Sequence, residues 1–270
     1  MAMITEIKDI TLPELDIYTR LTEKQTASSP YFVAESPEVI RLAVKSGCKP
    51  LSFLMEGKYI ETTAKDILAV CDETIPVYAA EKEVISQITG FHLTRGVLCA
   101  LQRPTLPDAA SICKEAGRIA VLENVMNTTN IGTIFRSAAA LNMDAVILTA
   151  AGGDPLARRA TRTAMGTTFQ IPWTILPKEA PLQETLHELG FKTVAMVLRE
   201  DSLHIADPRI AAEPKLAVIL GNEGHGLCQS TIDACDYAVR IPMSHDVDSL
   251  NVATAAAIAF YQFGVLHTSK

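Results

Sequence analysis

Short apolar runs alternate with helix-like segments through the second half of the chain, and this alternation limits the fold more than any other sequence feature. The runs are rich in valine, isoleucine and leucine, as expected for strands buried on both faces of a parallel sheet. They span 119–122, 145–149, 193–198, 216–220 and 237–241. Helical patterns occupy 131–141, 156–165, 181–189, 227–234 and 250–263. This series of strand–helix–strand units predicts an α/β fold with a mostly parallel sheet.

The N-terminal part is interpreted as a smaller α/β domain. Two prolines interrupt residues 102–108, which have no apolar period and are typical of a linker. We therefore place the smaller domain at 13–101, the linker at 102–115 and the larger domain at 116–270. Strands are predicted over 31–34, 51–55, 77–79 and 96–101, and helices over 37–45 and 64–71. In the larger domain, the residues suited to cap two helices are Thr129 or Asn130 and Asp248 or Ser249.

Charge and cysteine content narrow the classes of partner and compartment. The 270 residues carry a formal net charge of −7, which counts against a broad nonspecific grip on nucleic acid but allows a local basic patch. Arg158, Arg159 and Arg162 form such a cluster, and they also fit a solvated helix face. Six scattered cysteines without a Cys-x-x-Cys pair favour reduced thiols over a zinc site or disulfides. No apolar run is long enough to span a bilayer and no secretory signal is visible, so we expect a cytoplasmic protein without a metal.

Three polar, glycine-bearing segments follow predicted strands, where the ligand-binding edge of a parallel sheet lies. They are 127–136, 220–227 and 241–253. Taken singly, each has an ordinary explanation, since Asn130 fits a helix cap, Arg136 a surface side chain and Glu223 a solvated loop carboxylate. The glycines of the second segment permit positive φ and expose backbone groups to a ligand. No Gly-Lys-Ser/Thr phosphate loop occurs and no Gly-x-Gly-x-x-Gly follows the first strand, which disfavours a nicotinamide dehydrogenase.

Together and in this order, the three segments resemble the signature of the SpoU (TrmH-type) branch of the SPOUT RNA methyltransferases, over roughly residues 116–265. The matching residues are Asn130, Gly132 and Arg136, then Leu220, Gly221, Glu223 and Gly224, then Ile241, Pro242, Met243, Ser249, Leu250, Asn251 and Val252. Residues 31–35 and 76–78 are similar, more weakly, to the RNA substrate-binding domain of this family, which has a ribosomal-protein-like α/β fold.

The resemblance implies a fold, a cofactor and a reaction. The C-terminal SPOUT domain would contain a deep trefoil knot, which no periodicity could reveal. S-adenosylmethionine would bind to Leu220, Gly221, Ile241, Ser249 and Leu250. The methyl group would pass to a ribose 2′-hydroxyl of ribosomal or transfer RNA, and the enzyme would be a homodimer with the knot region at its interface.

The catalytic residues that the resemblance implies are Arg136, Asn130, Glu223, Ser249 and Asn251. Because an arginine stays protonated in proteins, Arg136 would stabilise negative charge on the attacking oxygen rather than act as a base. A substrate phosphate or Glu223 would accept the proton. Asn130, Ser249 and Asn251 would orient the hydroxyl and the guanidinium.

Three alternatives stay open at this point. They are an RNA base methyltransferase of another SPOUT branch, an RNA-binding protein that keeps the fold without catalysis, and a small-molecule-binding α/β protein without an RNA partner. The chain also departs from the family at three positions. Ser36, after Glu35, and His245, in the third segment, each stand where the family usually has glycine. Ala253 stands where the family often has serine.

Overall fold

Two sets of residues pack internally as separate units in the computed structural model, which describes residues 3–19, 21, 29–93, 96–245 and 247–266. One unit consists of Met1–Thr105 with Asp154–Gln170, and the other of Leu106–Gly153 with Ile171–Lys270. Segment 154–170 thus packs with the N-terminal unit, although in the sequence it lies among the predicted elements of the larger domain. The division at 13–101, 102–115 and 116–270 stays a prediction.

The N-terminal unit contains a mixed five-stranded sheet. Its strands are β1 (Met3–Glu6), β2 (Tyr31–Glu35), β3 (Pro50–Met55), β4 (Pro76–Ala79) and β5 (Val97–Gln102). Their order is β1-β4-β3-β5-β2, with β5 antiparallel to β2 and β3 and the other pairs parallel. Helices span Asp16–Thr19, Pro37–Lys45, Lys65–Ala69, Lys82–Thr89 and, in segment 154–170, Arg158–Thr163. The four predicted strands and two predicted helices are confirmed, whereas β1 and the helices Asp16–Thr19 and Lys82–Thr89 were not predicted.

The second unit contains a seven-stranded sheet whose paired strands all run parallel. Its strands are β6 (Arg118–Leu122), β7 (Ala145–Thr149), β8 (Trp173–Leu176), β9 (Lys192–Met196), β10 (Leu203–His204), β11 (Leu216–Leu220) and β12 (Tyr237–Arg240). They lie in the order β10-β12-β9-β11-β6-β7-β8. The central strands β6 and β11 are buried throughout, which explains the apolar runs over 119–122 and 216–220. The predicted α/β fold with a parallel sheet is confirmed, and the knot stays a prediction.

Helices of this unit are Ala109–Cys113, Thr128–Ala140, Leu182–Glu188, Pro208–Ala211, Gln229–Ala234 and Val252–Phe260. The last one continues into a π-helical turn over Tyr261–Val265 and packs along Thr128–Ala140. The helix Ala109–Cys113 lies inside the predicted linker. Strands β8 and β10 were not predicted, and β10, with two residues, is too short to show an apolar period. No helix in the described ranges is both long and apolar enough to cross a membrane.

The predicted helix caps are wrong at both helices that border the three polar segments. Asn127 caps the first helix, because its side chain accepts hydrogen bonds from the N–H groups of Thr129 (2.9 Å) and Asn130 (3.4 Å). Asn251 caps the last helix in the same way, where Asp248 or Ser249 was expected. Asparagine is among the best capping residues. The observed cap lies two or three residues before the predicted ones at the first helix and two or three residues after them at the last.

Segment 154–170 is held within the N-terminal unit by charge pairs. Glu35 is fully buried, and its carboxylate pairs with Arg158 and, at 3.2 Å, with Arg162. Two of the three arginines in the predicted basic cluster are therefore committed to one carboxylate, while Arg159 is exposed. The basic cluster thus serves mainly to stabilise the buried carboxylate of Glu35.

Candidate active site

A cavity of about 460 Å³ opens at the carboxyl ends of β9, β11 and β12 and at the start of helix Val252–Phe260. Its walls are formed by residues 196–198, 220–226, 241, 243, 249–252 and 255. The five residues predicted to bind the cofactor all line it, namely Leu220, Gly221, Ile241, Ser249 and Leu250. The carboxyl ends of parallel strands meet at one edge of a sheet, which brings these distant segments together.

Residues 221–226 form a closed turn with no room for a side chain at its first position. The N–H of Asn222 donates to the carbonyl of Gly226 (3.0 Å), and the N–H of Gly226 donates back (2.9 Å). The side chain of Asn222 accepts hydrogen bonds from the N–H groups of Gly224 (2.8 Å) and His225 (3.2 Å). A Cβ atom on Gly221 would lie 2.3 Å from the carbonyl carbon of Gly226. The turn therefore forms a rigid wall of backbone on one side of the cavity.

A hydrogen-bonded chain of polar side chains joins the three sequence segments. Nδ2 of Asn130 donates to Oε1 of Glu223 (3.0 Å), and Nδ2 of Asn251 donates to Oδ1 of Asn130 (3.1 Å). The Glu223 carboxylate also accepts the N–H groups of Met126 (3.2 Å) and Asn127 (3.0 Å). Glu223 and Asn251 line the cavity, and Asn130 lies between them. The structure thus brings three of the predicted catalytic residues into direct contact.

The pKa of Glu223 follows from this environment. Partial burial raises it, but the hydrogen bonds from Asn130 and from the backbone N–H groups of Met126 and Asn127 outweigh burial. The net pKa is therefore below the ordinary glutamate value. At neutral pH Glu223 is therefore an ionised acceptor of three hydrogen bonds and a weak base.

The remaining predicted residues occupy different places. Ser249 is exposed and lines the cavity. Arg136 is exposed on helix Thr128–Ala140, six residues after Asn130, and does not line the cavity. Within the described residues it makes no hydrogen bond or ion pair, so its guanidinium is available to a substrate. Asp246, in the third segment, lies outside the described residues.

Sequence reasoning missed two kinds of residue at this site. Asn222, which shapes the glycine turn, stands two residues before a glycine, a spacing typical of an Asx turn. Met196, Val197 and Leu198 line the cavity at the end of β9, where only the position after a parallel strand pointed to them. In the part of the chain that is described, no group of three or more histidine, cysteine or acidic side chains is placed to hold a metal ion.

Comparisons of the sequence with known proteins identify relatives of this chain. The profile of the SpoU rRNA Methylase family matches residues 117–261. An uncharacterized tRNA/rRNA methyltransferase of Mycobacterium bovis is 37% identical over 231 residues, which cover 85% of this chain and 79% of that protein. The 23S rRNA (guanosine(2553)-2′-O)-methyltransferase RlmP of Bacillus subtilis is 27% identical over 234 residues, covering 80% of this chain and 90% of that protein.

Solved structures share the fold over nearly the whole chain. The SpoU methyltransferase AviRb of Streptomyces viridochromogenes gives a TM-score of 0.81 at 22% identity, over 96% of this chain and 98% of that chain. An AdoMet-bound rRNA methyltransferase of Sinorhizobium meliloti gives 0.79 at 24% identity, over 96% and 97% of the two chains. The structures show the fold, and the profile match over 117–261 together with the 37% identity over 85% of the chain shows the family: the chain belongs to the SpoU rRNA Methylase family.

Proposed function

We propose that the protein is an S-adenosylmethionine-dependent methyltransferase that modifies a ribose 2′-hydroxyl of ribosomal or transfer RNA in the cytoplasm. The observation that carries this proposal is the hydrogen-bonded chain Glu223–Asn130–Asn251 beside the cavity at the strand ends. The Bacillus subtilis relative is named a 2′-O-methyltransferase of 23S rRNA, which favours ribose over base and ribosomal over transfer RNA.

The cavity fits an adenosyl cofactor by the kind of surface it offers. Gly221 and the turn that follows it present backbone rather than side chains, and Leu220, Ile241 and Leu250 supply apolar contacts. Such a surface suits a purine ring, whose edge is recognised by backbone groups and whose faces by aliphatic side chains. Bound there, S-adenosylmethionine supplies an electrophilic methyl group on its sulfonium.

The side chains of this protein then have separate tasks. Glu223 fixes the amide of Asn130, and Asn130 fixes that of Asn251, so both amides are oriented before RNA arrives. Arg136 stabilises the negative charge that develops on the 2′-oxygen. The proton of the hydroxyl passes to a phosphate oxygen of the substrate or to Glu223, whose three N–H contacts and lowered pKa make it a weak base.

A homodimer is part of the proposal, since the face of the last helix is apolar and exposed. Ile258 and Tyr261 are exposed by 37% and 51% and lie three residues apart, on one helical face, and Leu266, exposed by 39%, follows the π-helical turn. Burial of such a stripe against a second copy is a common basis of helix-mediated dimers. Light scattering of the purified protein at micromolar concentration is expected to give twice the mass of the 29.2 kDa chain, and a monomer would contradict the dimer.

We assign the RNA substrate-binding role to residues 13–101.

The central test is Arg136→Ala, compared with Arg209→Ala, which removes an exposed arginine paired with Asp207 away from the cavity. We expect Arg136→Ala to lower methyl transfer by about 100-fold or more, the usual effect of losing an oxyanion-stabilising group, and to leave S-adenosylmethionine affinity unchanged. Transfer is measured with labelled cofactor and cellular RNA, and affinity by calorimetry.

Digestion of the labelled RNA to nucleosides decides the position of the methyl group. A 2′-O-methylnucleoside is expected, and a base-methylated one would favour the base methyltransferase. Normal activity of Arg136→Ala would overturn the role of this arginine. RNA binding without any transfer by the wild type would favour a binding protein without catalysis.

A further inference from the structure

Glu123 is a nearly buried carboxylate for which the proposed reaction has no use. It follows the last residue of β6, is 7% exposed, and donates its N–H to the carbonyl of Leu220 at the end of β11 (2.9 Å). Its side chain accepts the N–H of Cys228 on Oε2 (3.0 Å) and the hydroxyl of Thr231 on Oε1 (2.6 Å). Burying a carboxylate costs free energy, and these two hydrogen bonds offset part of that cost.

The two bonds anchor the far end of the glycine turn. Leu227, which is buried, follows the turn, and Cys228 comes next. Cys228 is the N-cap residue of helix Gln229–Ala234, but its side chain makes no capping hydrogen bond. Glu123 therefore holds the start of this helix from the end of β6, through the N–H of Cys228 and the hydroxyl of Thr231. Both carboxylate oxygens are used, one for each donor.

The near end of the turn is held by the next residue in the chain. The carbonyl of Asn124 accepts Nδ2 of Asn222 (2.8 Å). Asn124 has φ +54° and is fixed in turn by Thr149, whose hydroxyl accepts its N–H (2.9 Å) and donates to its Oδ1 (2.9 Å). Two consecutive residues after β6 thus grip both ends of the 222–228 segment.

Between these anchors lies the cavity wall, since residues 220–226 all line the cavity. A shift at Cys228 is transmitted to Gly226 through Leu227, and Gly226 has no slack against Gly221. The position of the backbone wall therefore depends on the carboxylate behind it.

We propose that Glu123 is a positioning residue that holds the glycine turn in the shape required for S-adenosylmethionine, without touching the cofactor. The inference rests on the proposed cofactor site. Glu123 and Glu223 then have different roles, because Glu223 lines the cavity and orients Asn130.

The test compares Glu123→Ala, Glu123→Gln and Thr231→Val by calorimetric titration with S-adenosylmethionine and by thermal unfolding without it. Alanine leaves the Cys228 N–H and the Thr231 hydroxyl without their partner, and we expect affinity to fall at least tenfold. Glutamine rescues to within about threefold, because its oxygen accepts from Cys228 and its NH₂ donates to Thr231, whose hydroxyl also accepts. Thr231→Val removes one bond and gives an intermediate loss.

Asp236→Asn is the matched control, because this carboxylate also accepts a backbone N–H and a threonine hydroxyl, both from Thr193, but lies at the amino end of β12, away from the cavity. We expect it to lower the unfolding temperature without changing cofactor affinity. If Glu123→Ala and Asp236→Asn lower stability alike and both bind S-adenosylmethionine as the wild type does, Glu123 is only a structural cap and the inference is overturned. If the wild type does not bind S-adenosylmethionine, the proposed function fails instead.

Discussion

Substitution of Gly221 by alanine tests the shape of the cofactor cavity most directly. The added Cβ would lie 2.3 Å from the carbonyl carbon of Gly226, 2.4 Å from the nitrogen of Leu227 and 2.6 Å from the Gly226 oxygen. All three atoms belong to the backbone, so no change of rotamer relieves the overlap. The turn itself must open.

The cost follows from the bonds that close the turn. Opening it sacrifices the paired hydrogen bonds between Asn222 and Gly226, each worth about 1 kcal/mol net. The sum of about 2 kcal/mol agrees with the usual cost of an overpacked site, about 1–3 kcal/mol. If that energy is lost from the cofactor-binding conformation, affinity for S-adenosylmethionine falls by about 30-fold.

Gly224 in the same turn provides the control. Its added Cβ would meet only Oδ1 of Asn222 at 3.5 Å, an ordinary contact. Calorimetric titration with S-adenosylmethionine is expected to give wild-type affinity for Gly224→Ala and the 30-fold loss for Gly221→Ala, about 2 kcal/mol by the conversion above. Equal affinities of the two variants would refute the argument that backbone crowding at residue 221 shapes the site.

Three further predictions concern stability. Ser36→Gly should raise the free energy of unfolding by about 1 kcal/mol and the melting temperature by about 2–4 °C, because Ser36 has φ +92° and its capping bond is long at 3.5 Å; an unchanged melting temperature would count against strain there. Gly264→Ala should cost about 2 kcal/mol in a urea titration, since its Cβ would lie 2.1 Å from the carbonyl oxygen of Leu141, and an unaltered midpoint would contradict this packing. Burial raises the pKa of Asp236, but its hydrogen bonds, of which that from Lys192 contributes most, hold the pKa well below the ordinary aspartate value. The difference in stability between the wild type and Asp236→Asn should therefore reach its full size above about pH 4 and shrink as the pH falls below that value. Thermal unfolding at a series of pH values measures it, and a difference that does not change with pH would show that the charge is not responsible.

Two departures from the family pattern acquire a physical meaning from the backbone. Ser36 and His245, which stand where the resemblance leads one to expect glycine, have φ angles of +92° and +60°. Glycine adopts such angles without a steric penalty, whereas other residues pay for them. The pattern of glycines was informative about conformation even where the glycine itself has been replaced.

The elements of the parallel sheet were predictable because their signal is local. A central strand buried on both faces needs a continuous apolar run, and β6, β7 and β11 have one. The helix caps were misplaced by a few residues because several polar residues near each helix start could fill the role. Strand β10, with two residues, carries no periodic signal at all.

By itself, the sequence determined the fold class, the three polar segments and the kinds of side chain that they bring to a site. Only the tertiary structure decided which of these side chains meet, that Arg136 is not among the residues lining the cavity, and that Glu123 lies behind the glycine turn. The reason is that Asn130 is 93 residues from Glu223 and 121 from Asn251. Contacts over such distances depend on strand order and register, which arise from packing of the whole sheet and leave no trace in any short stretch of chain.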